Sequence, residues 1–248
     1  MEKTESNMPL IGDKAPEFHA VTTRGNINFP QDYHGKWVVL FSYQEDFSPV
    51  CSTEIMMFGI MTNEFKEINT EIIGLSADSI HCHIAWLRRI KELAWKDIKH
   101  VDIIFPIISD STLEISKKYG MIQTSCLGTL MVSAVFIIDP EGKVRAILVY
   151  PAAVGRNIQE IKRILMALQR SDHDSAATPV NWVQNDDIIL LPPDTYEKAA
   201  ERLETVTDNS YCLDWYLCFR QLNCTSDQPE INPYPSAYPL RNRQGNRR

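Results

Sequence analysis

The sequence has no apolar run that approaches the roughly 20 residues needed to span a bilayer, and its longest runs, such as "LMVSAVFII", fall well short. The opening "MEKTESNMPL" also lacks the apolar segment of a secretory signal peptide. Six cysteines are too few to form a disulfide scaffold in a chain of 248 residues. We therefore expect a cytoplasmic protein with no membrane segment, in which cysteines matter through their reactivity.

An excess of basic residues is also missing. The formal net charge of −7 argues against a nucleic-acid partner bound through a basic face. No glycine-rich phosphate loop, G-x-S-x-G elbow or H-E-x-x-H sequence occurs, which excludes the common nucleotide, serine-hydrolase and zinc-protease sites. The run "HCH" at 81–83 does not predict a metal site, because consecutive helical residues point in different directions.

Strand and helix patterns alternate over the first part of the chain. "FHAVTTRGNINF" predicts a hairpin, and the continuously apolar "WVVLFSY" predicts a strand buried on both faces. Further segments follow in the order strand, helix, strand pair and helix: "TEIIGLSAD", "SIHCHIAWLRRIKELAW", "SAVFIIDPEGKVRAILVY" and "NIQEIKRILMALQR". This alternation predicts an α/β layered domain over residues 1–173.

The composition changes after this domain. The polar connector "SDHDSAATPVNW" precedes a strand in "DIILLPP", a short helix in "DTYEKAAERLE" and the aromatic "YCLDWYLCF". We predict a second, smaller α+β unit over residues 174–225. Residues 226–248 combine a proline-rich stretch with four arginines, which favours a mobile tail over a docking arm.

The stretch "EDFSPVCSTE" contains the chemically most suggestive cysteine. Ser48 suits the N-cap of the following helix and Pro49 its first position, so Cys51 falls in the first turn. Unpaired backbone N–H groups and the positive end of the helix dipole favour a thiolate there over a thiol. Cys51 is therefore either a nucleophile or a cysteine that simply packs at a helix start.

These residues resemble a known family. "DFSPVCSTE" is similar to the "DFTPVCTTE" of peroxiredoxins, the AhpC/TSA-type thiol peroxidases with a thioredoxin-like fold. The segments "LFSYQEDFSPVC", "VFIIDPEGKVRAIL", "ATPVNW" and "YCLDWYLC" follow in the order of the long-tailed subgroup, whose C-terminal domain resembles that of archaeal-type and 1-Cys-like enzymes. The resemblance implies a thioredoxin-like α/β fold with a smaller C-terminal α+β arm.

The resemblance also implies the chemistry of the site. Cys51 matches the thiolate that attacks hydrogen peroxide or an organic hydroperoxide and becomes a sulfenic acid. Ser48 stands where the family has a threonine that contacts thiolate and peroxide. Arg156 matches a second family arginine near the site, which implies that it supplies positive charge there. The family's reaction needs no metal or organic cofactor.

Two further cysteines match the subgroup's Cys-x-Asp-Trp-x-x-Cys run. The resemblance makes Cys218 the thiol that resolves oxidised Cys51 from another subunit, with Cys212 as its disulfide partner. Electrons would come from a thioredoxin-like protein or another dithiol reductant. The family also implies a homodimer that associates further into a ring.

Three positions depart from the family pattern. Gln44 replaces a shielding proline, and Ser133 replaces an arginine that lies beside the thiolate and binds peroxide. Tyr43 replaces a histidine, and its hydroxyl either bonds the thiolate or leaves the ring to pack. Gln44 and Ser133 favour an alternative function, that of a catalytically impaired redox sensor, chaperone-like assembly or binding ring. The retained cysteines and Arg156 favour the enzyme.

Overall fold

The computed structural model describes residues 8–125, 128–204 and 209–222. The chain divides into two compact units, one ending at Gln184 and the other starting at Asn185. Cys126, Cys224 and the predicted tail at 226–248 lie outside the described residues. None of the helices in the described ranges is both long enough and apolar enough to cross a membrane.

The first unit is built on a seven-stranded mixed sheet. Its strands are β1 (Phe18–Thr22), β2 (Gly25–Phe29), β3 (Trp37–Ser42), β4 (Thr70–Ser76), β7 (Ile107–Ser109), β10 (Ser133–Ile138) and β11 (Val144–Tyr150). They lie side by side in the order β11-β10-β3-β4-β7-β1-β2. Two short hairpins and one short strand add β5 (Ala94–Trp95), β6 (Ile98–Lys99), β8 (Ile122–Ser125), β9 (Gly128–Met131) and β12 (Ala176–Ala177). β3, β4 and β7 run parallel, so their carboxyl ends meet at one edge.

In the described part of this unit, four α-helices accompany the sheet: α1 (Pro49–Glu67), α2 (Ile80–Ile90), α3 (Glu114–Lys118) and α4 (Ile158–Asp174). A 3₁₀ turn lies at Gln31–Tyr33. Every residue of β3 is buried, as its unbroken apolar pattern predicts. Val39 and Phe41 belong to the core cluster that includes the buried face of α1, whereas Val38 and Leu40 belong to a second cluster on the opposite face. The predicted hairpin, central strands and α/β layering are thus confirmed.

One predicted helix is shorter than its sequence pattern. The stretch "SIHCHIAWLRRIKELAW" predicts a helix continuing to Trp95, but α2 ends at Ile90. Ala94–Trp95 instead pairs with Ile98–Lys99 as a small antiparallel hairpin. Its turn places Lys96 at a φ of +54°, a left-handed conformation that a helix cannot contain.

The boundary between units lies after the predicted one. We expected the first domain to end at residue 173, but the first compact unit continues to Gln184. The extra segment is tied to α4, because Ser171 Oγ donates to Ala176 O at 2.6 Å and Arg163 donates to Trp182 O at 3.0 Å. Trp182 is itself buried. That each unit folds as a separate domain stays a prediction.

The second unit contains β13 (Ile188–Leu190), α5 (Tyr196–Glu204), β14 (Ser210–Asp214) and β15 (Leu217–Arg220). β15 pairs antiparallel with both β13 and β14. The helix and strands match the predicted order of a small α+β unit, and the register of β14 with β15 sets Cys212 directly opposite Cys218.

Candidate active site around Cys51

Cys51 lies in the first turn of α1, just beyond the carboxyl end of β3. Ser48 is the N-cap residue with an extended backbone, and Pro49 opens the helix, as the sequence predicts. The Ser48 side chain makes no capping hydrogen bond, but its carbonyl accepts from Ser52 N at 2.9 Å and from Ser52 Oγ at 2.8 Å. This leaves the Ser48 hydroxyl available for another partner near the start of the helix.

The surroundings of Cys51 are apolar and closely packed. The side chain is 3% exposed and belongs to the same core cluster as Phe41, Tyr43, Ile55 and Trp86. The Trp86 ring is tilted against Tyr43 at 5.4 Å between centroids, and its indole N–H donates to Ser52 Oγ at 3.3 Å. Such an environment excludes bulk water and strengthens electrostatic interactions with any charge that develops on the sulfur.

Arg156 and Glu54 form the strongest charged interaction near Cys51. Arg156 Nε donates to Glu54 Oε1 at 2.9 Å and its Nη2 donates to Glu54 Oε2 at 2.5 Å, a bidentate pair. Nη1 donates to Ser42 O at 2.8 Å, and the guanidinium stacks over the Phe41 ring at 5.0 Å. Both side chains are almost completely buried. Because Glu54 follows Cys51 by three residues on one helix, the pair lies one turn from the thiol.

Ser133, the residue at the family's arginine position, opens β10 and is buried. Side chains alternate along a strand, so Ser133 shares the sheet face of Val135 and Ile137, which belong to the Cys51 cluster. Ser42 Oγ fixes the backbone on both sides of Ser133, donating to Val132 O at 2.5 Å and accepting from Ala134 N at 3.1 Å. The position therefore lies on the Cys51 side of the sheet but supplies only a hydroxyl.

Tyr43 takes part in a buried polar network. Its hydroxyl donates to Asp46 Oδ1 at 2.8 Å, and Asp46 Oδ2 lies 2.8 Å from His83 Nδ1. The other ring nitrogen of His83 faces Ile108 O at 3.1 Å, so both nitrogens meet oxygen acceptors. Burial, followed by the charge of Asp46, raises the pKa of Tyr43 well above its ordinary value. The hydroxyl is thus bound to a carboxylate, and the ring packs in the Cys51 cluster.

Gln44, at the family's proline position, lies half-buried in the segment that joins β3 to α1. Asp46 and Phe47 follow it, and Phe47 has a φ of +62° and an exposed ring. Asp46 N donates to Asp78 Oδ2 at 2.9 Å, which fixes this segment against the end of β4. The segment that precedes the N-cap residue Ser48 is therefore held in place by the carboxylate of Asp78, which follows β4.

Cys82 is the other free cysteine among the described residues. It lies partly buried near the start of α2, and its thiol and the carboxylates of Asp46 and Asp78 lie within 4.8 Å of one another. Burial together with hydrogen bonding and charge from the two carboxylates raises the pKa of Cys82 to about 11. Because thiolates are the reactive form of cysteine, this raised pKa disfavours reaction of Cys82 at neutral pH. His81 is exposed and His83 is buried in the network above, so the "HCH" run does not form a common site.

Cys212 and Cys218 are joined by a disulfide within the second unit, with a Cα–Cα distance of 4.0 Å. They are cross-strand partners on β14 and β15. Cys218 is fully buried, whereas Cys212 is partly exposed. The predicted pairing of these two cysteines is therefore present in the structure, while the predicted exchange with Cys51 stays a prediction.

Sequence reasoning did not single out Glu54 or Asp46. Glu54 has a recognisable signal, because it lies beside Ile55 on the buried face of an apolar helix. A carboxylate on such a face needs a buried partner, and Arg156 is that partner. Asp46 has a weaker signal, since its three partners are the residue after β3, a residue of α2 and a residue after β4.

Comparisons with known proteins agree with this arrangement. Residues 11–147 match the AhpC/TSA family, and residues 167–205 match the C-terminal domain of 1-Cys peroxiredoxin. A peroxiredoxin of Methanosarcina mazei is 53% identical over 215 residues, which cover 86% of this chain and 98% of the relative. A peroxiredoxin of Aquifex aeolicus is 43% identical over 226 residues, which cover 87% and 98%.

Solved structures give the same result. A yeast mitochondrial 1-Cys peroxiredoxin aligns with a TM-score of 0.74 and 36% identity, covering 87% of this chain and 100% of its own. Peroxiredoxin 6 of Arenicola marina aligns with a TM-score of 0.72 and 30% identity, covering 87% and 99%. The thioredoxin-like fold is confirmed, and none of these relatives favours the non-enzymatic alternative. This chain therefore belongs to the AhpC/TSA family of peroxiredoxins and is a thiol peroxidase.

Proposed function

We propose that Cys51 is the thiol that attacks the peroxide. The observation that carries this proposal is its position, buried in the first turn of α1 beyond the carboxyl end of a central strand. Backbone N–H groups at a helix N-terminus stabilise a thiolate there. The Cys51 thiolate forms a bond to one peroxide oxygen as the O–O bond breaks. The departing oxygen takes a proton and leaves as water or an alcohol, and Cys51 becomes a sulfenic acid.

Ser48 and Arg156 would assist this step in different ways. The Ser48 hydroxyl, which makes no capping bond, is free to donate to the peroxide or the thiolate. Arg156 is bound to Glu54, so it acts chiefly by fixing α1 against Ser42 at the end of β3. Ser133 would contribute a weak hydrogen bond to the substrate. The organic part of a hydroperoxide would meet the apolar side chains that surround Cys51.

Cys218 and Cys212 would return Cys51 to its thiol form. The Cys218 thiolate attacks the sulfenic sulfur of Cys51, and the hydroxide that leaves takes a proton and becomes water as the Cys51–Cys218 disulfide forms. Cys212 then attacks Cys218, which frees Cys51 and gives the Cys212–Cys218 disulfide. This last disulfide holds the two oxidising equivalents that the peroxide supplied. Its presence between register partners on β14 and β15 supports the scheme.

The external reductant and the assembly are part of the same proposal. The yeast 1-Cys peroxiredoxin resolves its thiol via glutathione/thioredoxin systems. By analogy, a thioredoxin-like or other dithiol reductant would open the Cys212–Cys218 disulfide here. We also propose a homodimer that associates into a larger ring, in which Cys218 reaches Cys51 of another subunit, and a location in the cytoplasm, where such reductants keep Cys51 reduced.

Stopped-flow mixing of reduced protein with limiting hydrogen peroxide tests the assignment. Wild-type protein should consume peroxide rapidly and end with the Cys212–Cys218 disulfide. Cys51→Ser should abolish consumption, whereas Cys218→Ser, when mixed with excess peroxide, should consume one peroxide per chain and then stop. Cys212→Ser should accumulate a Cys51–Cys218 disulfide, which non-reducing electrophoresis detects as a cross-linked dimer if the two cysteines belong to different subunits.

Cys82→Ser is the matched control, since it removes a free thiol that lies at the start of a different helix. It should leave peroxide consumption unchanged. Rapid consumption by Cys51→Ser, or loss of consumption in Cys82→Ser with the fold intact, would contradict the role proposed for Cys51. Repeated turnover by Cys218→Ser with a dithiol protein would contradict only the recycling step.

A further inference from the structure

The second unit contains a pocket of roughly 600 Å³ that lies directly against the Cys212–Cys218 disulfide. Its wall is formed by residues of β13, α5, β14 and β15, together with the segment 192–194 that joins β13 to α5. The volume lies within the range typical of small-molecule sites. Both sulfur-bearing residues line the same pocket, so a molecule bound there would meet a redox-active bond.

The pocket carries a local excess of positive charge. Lys198, Arg202 and Arg220 line it, against only two carboxylates, Asp194 and Glu201. This balance of +1 contrasts with the formal net charge of −7 for the chain. Lys198 Nζ lies 2.6 Å from Asp194 Oδ1, and Arg202 Nη1 donates to Leu191 O at 2.6 Å, so both cations are anchored at the pocket wall. Asp194 offsets the charge of Lys198, whereas Arg202 is held by a neutral carbonyl, so its anchored guanidinium favours a ligand that carries a carboxylate.

The two sulfur atoms differ in accessibility. Cys212 is partly exposed, whereas Cys218 is fully buried behind it. Cys218 Sγ lies 3.4 Å from Asp214 O and 3.9 Å from Trp215 O. In the disulfide this sulfur has no proton to donate, but a Cys218 thiol would find an acceptor at those carbonyls. Accessibility therefore favours attack at Cys212, and the Cys218 sulfur released by that attack must take up a proton before it can donate to those carbonyls.

We propose that this pocket binds a small thiol bearing a carboxylate, and that this thiol reduces the Cys212–Cys218 disulfide directly. The proposal rests on the proposed function, because it takes that disulfide to be the oxidised product of peroxide turnover. The disulfide would then have two electron donors: the dithiol protein of the general scheme and a low-molecular-weight thiol that the cations of the pocket recognise.

The electrons balance over two thiol molecules. The first thiolate attacks Cys212 Sγ, forming a mixed disulfide and releasing Cys218 as a thiolate, which takes a proton from water. A second thiolate attacks the ligand's sulfur in the mixed disulfide and releases Cys212, which is protonated in turn. Two thiols become one small disulfide, and Cys212 and Cys218 are both left as thiols.

The test measures disulfide reduction without peroxide turnover. Oxidised Cys51→Ser protein is mixed with 3-mercaptopropionate, 2-mercaptoethanol or cysteamine, which are anionic, neutral and cationic thiols of similar size. Release of Cys212 and Cys218 thiols is followed by alkylation and mass spectrometry, and each rate is divided by the thiolate concentration. We expect 3-mercaptopropionate to react fastest, to saturate with concentration, and to lose its advantage at high salt.

Variants of the pocket cations connect this preference to the structure. Lys198→Gln and Arg202→Gln should each slow 3-mercaptopropionate by about two- to fivefold, the worth of one exposed charge pair, and leave 2-mercaptoethanol unchanged. Arg202→Lys retains the charge and should restore most of the rate. Lys99→Gln is the matched control, because it changes the net charge equally at an exposed residue of the first unit. An unchanged 2-mercaptoethanol rate also verifies that a variant keeps its fold around the disulfide.

The outcomes separate this proposal from the one on which it rests. Equal thiolate-corrected rates for the three thiols, or pocket variants that behave like Lys99→Gln, would overturn the thiol site while leaving the peroxidase cycle intact. Wild-type protein that contains no Cys212–Cys218 disulfide after reaction with peroxide would overturn the recycling scheme and the thiol site together. A preference for 3-mercaptopropionate that falls in both glutamine variants supports the site.

Discussion

Arg156 donates hydrogen bonds to both carboxylate oxygens of Glu54, which lies one helical turn from Cys51. The resemblance to the family led us to expect that Arg156 supplies a positive field for the thiolate. The carboxylate of Glu54 cancels most of that charge, and both side chains are almost fully buried. The main effect of the pair is therefore to hold α1 against two backbone carbonyls, those of Ser42 at the end of β3 and of Ala134 in β10.

Glu54→Gln tests this interpretation. Removing one partner of a buried ion pair leaves an unpaired charge, so we expect the free energy of unfolding to fall by about 3–5 kcal/mol. Alkylation of Cys51 at neutral pH should nevertheless become faster, because the uncancelled guanidinium then favours the thiolate. Urea unfolding and timed alkylation with peptide mapping measure the two effects.

Glu64→Gln provides the control on the same helix. Glu64 pairs with Lys162 at 2.6 Å, but both side chains are partly exposed. Loss of this ion pair should lower the free energy of unfolding by about 1 kcal/mol or less and leave the alkylation rate of Cys51 unchanged. Equal destabilisation by the two substitutions would contradict the buried role of Glu54, and an unchanged alkylation rate in Glu54→Gln would mean that the pair does not influence the thiol.

Cys51 should react before Cys82 with limiting iodoacetamide at neutral pH. The pKa of about 11 keeps Cys82 almost entirely protonated there, and its labelling should rise about tenfold for each pH unit up to that value. Asp78→Asn should increase labelling of Cys82 by removing one of the carboxylates that disfavour its thiolate. Peptide mapping decides the order, and preferential labelling of Cys82 at pH 7 would refute the assignment of Cys51 as the reactive thiol.

Tyr119 should make the protein less stable at alkaline pH. Its side chain is fully buried and its hydroxyl donates to Pro16 O at 2.9 Å, and burial raises its pKa far above the usual 10. Above about pH 10 the unfolded tyrosine loses its proton while the folded one keeps it. The free energy of unfolding should therefore fall by about 1.4 kcal/mol per pH unit from this group, with its full contribution present below pH 10.

Tyr119→Phe should remove this group's share of the alkaline slope and cost about 1 kcal/mol at pH 7 through the lost hydrogen bond. Urea unfolding between pH 7 and pH 11 measures both quantities. Tyr216→Phe is the control, because Tyr216 is 51% exposed and should change neither. An alkaline slope that persists unchanged in Tyr119→Phe would assign the effect to other groups.

The elements around the site were predictable because local patterns and burial agree there. The buried run of β3, the Ser48–Pro49 start of α1 and the turn between β10 and β11 each have a sequence signal that the structure bears out. The end of α2 was not predictable in this way. "KELAW" has apolar spacing that suits a helix, and only the pairing of Ala94–Trp95 with Ile98–Lys99 overrides it.

The charge balance of the site was also hidden from the sequence. Arg156 and Glu54 are separated by about a hundred residues, and the Asp46–His83 contact likewise joins distant segments. A sequence pattern identifies the residue types but not which carboxylate reaches which cation. The positive charge expected from Arg156 at Cys51 is offset by a single residue of α1, Glu54.

Ser133 is the position where one added charge should have the largest effect on catalysis. It is buried at the start of β10 and shares the sheet face of Val135, which packs in the Cys51 cluster. Arg156 is neutralised by Glu54, so no uncancelled guanidinium is available from that residue. The reaction would therefore depend on the N-terminus of α1 and the hydroxyl of Ser48 for stabilising charge.

Ser133→Arg should raise the second-order rate with hydrogen peroxide by at least about tenfold, since one preorganised donor is worth about 2–4 kcal/mol in a transition state. The larger side chain should cost about 1–3 kcal/mol of stability through overpacking. Ser133→Gln, which is shorter than arginine and uncharged, should lower the stability by part of that amount without raising the rate. Cys51→Ser should abolish the reaction in every background. Stopped-flow kinetics on wild type, Gln44→Pro, Ser133→Arg and the double variant measures the effect.

Two outcomes would contradict this prediction. If a folded Ser133→Arg protein reacts no faster than Ser133→Gln, charge at this position does not limit the rate of the enzyme. A faster reaction in the double variant alone would instead assign the limit to Gln44 and the missing proline.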